Sequence, residues 1–246
     1  MIRPRPKPLP NQRSKGKEFM TVCVAAFAAD LKVIVCVADK AVSYASGIQW
    51  DSDSSKIIKL DDSGNLAMIA GNEEHTSRVL ANILEIADQI SKRKKREIIR
   101  LCEQAYKEAM EELVEANVLS RRLINRKDYL SAIAGAEIND YIHSIAKEVD
   151  KFEMDCDLLI CGFDVDGSPF ILQLTGPGVV GDMTLTGFHA IGGGWEKAIS
   201  RLLYSEHKRE HLVQRVLYDV FDAKAYAELA SGVGYEWDAF LHEYNR

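Results

Sequence analysis

Near the start of this chain a hydroxyl, a carboxylate and an ammonium stand at the ends of successive apolar runs. Thr21 precedes the first run, Asp39 closes the second and Lys56 opens the third, at intervals of 18 and 17 residues; Gly71 follows 15 residues later. An alcohol oxygen is a weak nucleophile until a nearby base takes its proton, and a neighbouring cation stabilises the negative charge that develops on it. A lysine in that role must itself stay in place and charged, and Asp39 is the candidate counter-ion. Taken singly, each residue has an ordinary reading: a threonine that begins a strand, an aspartate that ends one, a lysine solvated at the edge of a third.

The elements that would bring these groups together come next. Residues 22–29 and 33–38 are near-continuous apolar runs rich in Val, Ala and Cys, broken by Asp30-Leu31-Lys32. Each has strand length and reads as a strand buried on both faces. Folded as a hairpin, they set Thr21 beside Asp39. Ile57–Leu60 and Leu66–Ala70 form a second hairpin about Asp61-Asp62-Ser63-Gly64-Asn65. The polar stretch between Asp39 and Lys56 is long enough to wall a site. Its Asp51 and Asp53 lack calcium-loop spacing and read as a solvated turn.

From Glu73 the period becomes helical, with Val79, Leu80, Ile83, Leu84, Ala87 and Ile90 on one face and Asn72 as the N-cap. The basic run Ser91–Arg96 reads as a solvated junction into a second helix, whose stripe from Ile98 to Val114 continues to about Ile124. A third helix is expected near 136–150, with Ile138, Ile142, Ile145 and Val149 inward. The second half returns to strands at 158–163 and 170–174 and to a short strand ending at Ile191. Helices near 195–204 and 210–229 and a strand near 237–241 complete it. His207 and His211, four apart among Glu, Lys and Arg, lack the H-E-x-x-H pattern; they read as a solvated helix start, and no metal is assigned. Gly192-Gly193-Gly194 lacks the continuation of a phosphate-binding loop.

Thr21, Asp39, Lys56 and the step Met68-Ile69-Ala70-Gly71 together resemble the opening of proteasome β-type subunits and related bacterial peptidase rings, which are N-terminal nucleophile (Ntn) hydrolases. The spacing differs by an insertion of a few residues. The resemblance covers roughly 20–90 and, more loosely, 157–240. It implies an α+β fold, the four-layer αββα sandwich. It also implies that Thr21, exposed by removal of residues 1–20, is the nucleophile and its own amine the base. Lys56 and Asp39 tune that pair, Gly71 supplies an oxyanion N–H, and Glu228 and Ser231 support the amine. Ser43, Ile69 and Gly193 are the implied substrate contacts. Two departures stand out. Glu228 occupies an Asp position, and Gly193 stands where the family carries a serine hydroxyl. Peptide-bond hydrolysis without a cofactor is the implied activity, with homo-oligomeric rings larger than a dimer and an unfoldase as partner. A catalytically silent scaffold or ring subunit and a hydrolase of a small amide are the alternatives.

Composition bounds the rest. With 47% apolar content over 246 residues the chain can bury a sizeable core. Residues 1–19 hold four of the six prolines, six Lys/Arg and one Glu, so this end carries +5 and the remainder −11 of the net −6. We read 1–19 as a disordered extension: a propeptide, an upstream segment ahead of a start at Met20, or a basic docking arm. One domain is expected over 20–246, with an enlarged helical segment near 115–155. An acidic body argues against nucleic acid, and no apolar run approaches a membrane span or a signal sequence. Five cysteines without a C-x-x-C pair suit a reducing cytoplasm.

Overall fold

The computed structural model describes residues 21–43, 49–51, 55–87, 94–135, 139–230 and 233–244. The basic extension, the Asp53 turn, Ile90, Ile138 and Ser231 lie outside the described residues. β1 (Cys23–Ala28) and β2 (Val33–Asp39) are buried at every position and pair antiparallel, Cys23 opposite Ala38 and Ala28 opposite Val33. A small ribbon follows, β3 (Ala41–Ser43) against β4 (Gln49–Asp51). β5 (Ile57–Lys59) and β6 (Leu66–Gly71) begin a second antiparallel sheet, which β7 (Cys156–Phe163), β8 (Pro169–Thr175) and β9 (Val179–Asp182) complete in sequence order. The first sheet gains β10 (Phe188–Ile191) beside β1 and β11 (Trp237–Glu243) beside β2, in the order β10-β1-β2-β11.

Successive residues of a strand point to opposite faces, so a strand apolar at every position needs a layer on each side. β1 and β2 have both. Cys23, Ala25, Phe27, Ile34 and Cys36 meet Leu66, Met68, Leu159 and Cys161 of the second sheet. The alternate residues, Val24, Ala26, Val35 and Val37, pack against α5 (Trp195–Tyr204) and α6 (Val213–Ala227). On the far side of the second sheet, Ala67, Leu158, Ile160 and Leu172 meet α1 (Glu73–Ala87) and α2 (Lys95–Val114). The layers therefore run helix, sheet, sheet, helix, as the expected αββα sandwich requires. All five cysteines are buried thiols within these layers. Among the described residues, no helix is long and apolar enough to cross a membrane.

Local signals set several boundaries. Asn72 Oδ1 accepts from the N–H groups of Glu74 at 2.9 Å and His75 at 3.3 Å, capping α1 as expected. Lys95, read as part of a solvated junction, instead pairs with Asp182 at 2.5 Å and ties α2 to β9. The helical middle also differs from its expectation. After Val114 the helix widens into one π turn over Glu115–Leu119 and one 3₁₀ turn over Ser120–Arg122, and Leu123 then adopts a left-handed φ of 55°. Two short helices follow, α3 (Arg126–Ala134) and α4 (Asp140–Asp150), where one was expected. Val118, Leu119, Tyr129, Ile142 and Ile145 form a separate small core there.

Candidate active site

The β1–β2 hairpin does bring Thr21 to Asp39, and the start of β5 adds Lys56. Lys56 Nζ donates to Thr21 Oγ1 at 2.6 Å, to Asp39 Oδ1 at 2.8 Å and to the Ala41 carbonyl at 2.5 Å. An ammonium has three N–H groups, and all three are engaged. The lysine side chain is 11% exposed and the Asp39 side chain fully buried. Lys56 is therefore not a solvated strand-edge lysine.

Asp39 is held from three directions. Oδ1 also accepts from the Val22 N–H at 3.3 Å, and Oδ2 accepts from the Gly234 N–H at 2.9 Å. Burial pushes its carboxyl above the usual range, against the Lys56 ammonium and both N–H groups. Cys23, two residues from Thr21, is no rival nucleophile. Burial raises its thiol well above the ordinary range, and its S–H points to the Ile69 carbonyl at 3.5 Å.

The remaining expected residues fall in varied places. Gly71 ends β6 opposite Cys156 with φ +105°, and a Cβ there would lie 2.7 Å from the Asp155 carbonyl oxygen. Its lack of a side chain thus has a packing cause whatever else it does. Ile69 packs its side chain on the α1–α2 side and touches the site only through its main chain. Ser43 lies in β3, and its side chain is outside the described residues. Gly193 is exposed in the turn between β10 and α5. Glu228 Oε1 accepts from Lys224 Nζ at 2.5 Å, at the end of α6 where Ala227 packs in one cluster with Val22.

Three parts of the site were not anticipated. Lys224 is buried in α6 and donates to the Gly234 and Tyr235 carbonyls at 2.8 and 2.9 Å as well as to Glu228. Gly234 is thus gripped on both sides, its carbonyl by Lys224 and its N–H by Asp39. Asp157 of β7 accepts from Gln173 Nε2 at 2.9 Å and from the Gly192 N–H. Burial raises its carboxyl above the usual range. Gly192 itself has φ +86°, and a Cβ there would sit 2.2 Å from the Thr21 carbonyl oxygen. Gly192→Ala should therefore cost about 1–3 kcal/mol as overpacking against main chain. Gly193→Ala, in the exposed turn, should stay within about ±0.5 kcal/mol. Urea unfolding of both variants checks this, and equal stabilities would remove the close approach from the account.

Two solved structures share this arrangement of layers. The structure of Anbu (ancestral beta-subunit) from Yersinia bercovieri aligns with a TM-score of 0.63 at 12% identity, over 90% of this chain and 81% of that one. Eukaryotic HslV from Trypanosoma brucei aligns with a TM-score of 0.51 at 15% identity, over 91% of this chain and 99% of that one. The fold is the proteasome β-type fold. At such identities the likeness is one of fold. No protein-family model matches the sequence, and neither does any curated protein. Within the proteasome-type fold, the Thr21–Lys56–Asp39 cluster lies where β1 begins, β2 ends and the second sheet starts.

Proposed function

We propose that this chain is a proteasome-like threonine hydrolase that cleaves peptide bonds. The single observation that carries the reading is the Lys56 ammonium. It is buried, neutralised by Asp39 and aimed at Thr21 Oγ1 at 2.6 Å. Removal of residues 1–20 would free the Thr21 amine, whose ordinary pKa of about 7.7–8.0 leaves part of it neutral at pH 7. The neutral amine takes the hydroxyl proton as Oγ1 attacks the substrate carbonyl carbon. Lys56 favours the neutral amine and stabilises the charge on Oγ1. Charge on the carbonyl oxygen is received by the Gly71 N–H. Collapse breaks the C–N bond, the leaving amine takes the proton from the Thr21 ammonium, and water hydrolyses the remaining ester by the same route. Ring-shaped homo-oligomers in a bacterial cytoplasm, served by an unfoldase, belong to the same proposal.

A second reading, a silent scaffold subunit, is favoured by two observations. Gly193 offers no hydroxyl, and Glu228 is bonded to Lys224. Intact-mass analysis with an electrophile selective for N-terminal threonine separates the two. The expected result is a chain beginning at Thr21 that gains one adduct, absent in Thr21→Ala. A native protein that keeps residues 1–20 and takes up no adduct would establish the scaffold reading.

A further inference from the structure

The geometry points to a divalent-metal site formed by His207, His211 and Asp219, and we propose that it binds Zn²⁺. This inference is independent of the proposed hydrolase activity. The site lies at the other end of β1 from Thr21, about 25 Å away by strand length. There the Ala29 and Asp30 N–H groups donate to the carbonyls of His211 and Arg209 at 2.8 and 3.1 Å. The two histidines stand in the irregular connection from α5 to α6, not on a solvated helix, and Asp219 is on the second turn of α6.

Donor chemistry and geometry both fit. One atom from each residue lies within 4.8 Å of the others. The Nδ1 atoms of both histidines are 3.8 Å from the same oxygen, Asp219 Oδ2. That distance is too long for a hydrogen bond. Tetrahedral zinc, with bonds of about 2.0–2.2 Å, sets its ligand atoms roughly 3.3–3.5 Å apart, so both histidine–Asp219 distances need shorten by only a few tenths of an ångström. Two imidazoles and one carboxylate suit zinc, with water as the fourth ligand.

The burial of His207 adds an independent sign. Its side chain is 1% exposed, and neither ring nitrogen has a hydrogen-bond partner. A buried polar side chain without partners calls for a water or ion. The edge of Phe188, with ring centroids 5.4 Å apart, fixes the ring's orientation.

Arg215 is the rival cation. Its Nε lies 2.9 Å from Asp219 Oδ1 and donates to Oδ2 at 3.1 Å. A carboxylate has about four lone-pair sites, so when a metal takes Oδ2 the arginine can move its hydrogen bond to Oδ1, which is 2.9 Å away and has no hydrogen-bond partner. The arginine side chain is half exposed and also donates to the Ser205 carbonyl at 3.3 Å. Bound there, zinc would staple the α5–α6 connection to α6 and, through the two main-chain bonds, to the β1–β2 turn. That turn carries three successive residues with left-handed φ, Ala29, Asp30 and Leu31, at 51°, 57° and 68°. Holding such a turn is work a staple can do.

The test uses the full chain, stripped with EDTA and titrated with ZnCl₂ by calorimetry, with melting temperature followed in parallel. One equivalent should bind and raise the melting temperature. His211→Ala, at the half-exposed ligand, should fold and weaken binding by more than the roughly 10–100-fold that loss of an outer-shell partner costs. Cobalt(II) should give the visible absorption of a four-coordinate site in the wild type and lose it in the variant. Absence of binding, or equal affinity and spectrum in His211→Ala, would overturn the proposal and leave Asp219 as the ion-pair partner of Arg215.

Discussion

Lys56→Ala is expected to abolish turnover and to destabilise the fold by about 3–5 kcal/mol, because it leaves the buried Asp39 carboxylate without its counter-ion. The two effects separate by pH. Burial already holds the Asp39 carboxyl above its usual range, and without the ammonium it rises further. A carboxyl whose folded pKa exceeds its unfolded one favours the fold at low pH and loses that contribution as pH rises through the folded value. The variant's stability deficit should therefore be full at neutral pH and shrink on acidification, as Asp39 takes up a proton. Lys56→Arg should be inactive as well. A planar guanidinium cannot direct three donors to Thr21 Oγ1, Asp39 Oδ1 and the Ala41 carbonyl from one nitrogen. Peptide turnover and urea unfolding between pH 5 and 8, against Thr21→Ala, decide the matter. Wild-type activity in Lys56→Arg would remove the lysine from the mechanism.

Lys224→Met should be nearly as damaging although it acts on Asp39 through Gly234. Methionine fills similar space but leaves the carbonyls of Gly234 and Tyr235 unpaired, at about 1–3 kcal/mol each. Glu228 is partly solvated and can turn to water. A total near 3 kcal/mol follows. Gly234 would then be held only through its N–H to Asp39, so turnover should fall with stability. Glu228→Gln leaves both carbonyl bonds but removes the counter-ion of a buried ammonium, and it should cost up to about 3 kcal/mol. If Lys224→Met melts like the wild type, the grip on Gly234 is not what positions Asp39.

The core of the site was readable because its carriers are unambiguous. β1 and β2 are apolar at every position before Asp39, so the short break at Asp30-Leu31-Lys32, not their pattern, sets the hairpin register, and that register puts Thr21 against Asp39. Lys56 followed from the next hairpin. What escaped notice depends on distant pairing. Gly234 meets Asp39 across 195 residues, and only the docking of β11 beside β2 brings it there. The i,i+4 pair Lys224–Glu228 was visible on α6 as a charge pattern, but such pairs are usually solvated. His207 was hidden by its neighbours. Glu206, Lys208, Arg209 and Glu210 look like an exposed surface, and nothing local says that one ring among them turns inward. β9 and α3 were missed for want of a pattern. Val-Val-Gly-Asp is short and polar at its end, and α3 buries only Tyr129.

The place of β11 in its sheet has a consequence for biosynthesis. Among the described elements it comes last in the chain, yet it pairs with β2 along the whole of that strand, with Trp237 opposite Asp39. Gly234, immediately before it, donates to Asp39. A nascent chain that has folded only its first two hairpins therefore holds Thr21, Asp39 and Lys56 but not the last support of the carboxylate, and β2 presents an open edge. The cluster is completed only when this strand, 195 residues beyond Asp39 at Gly234, has docked. Until then the Asp39 carboxylate lacks one of its two backbone donors, so the geometry around Thr21 depends on the late-made strand.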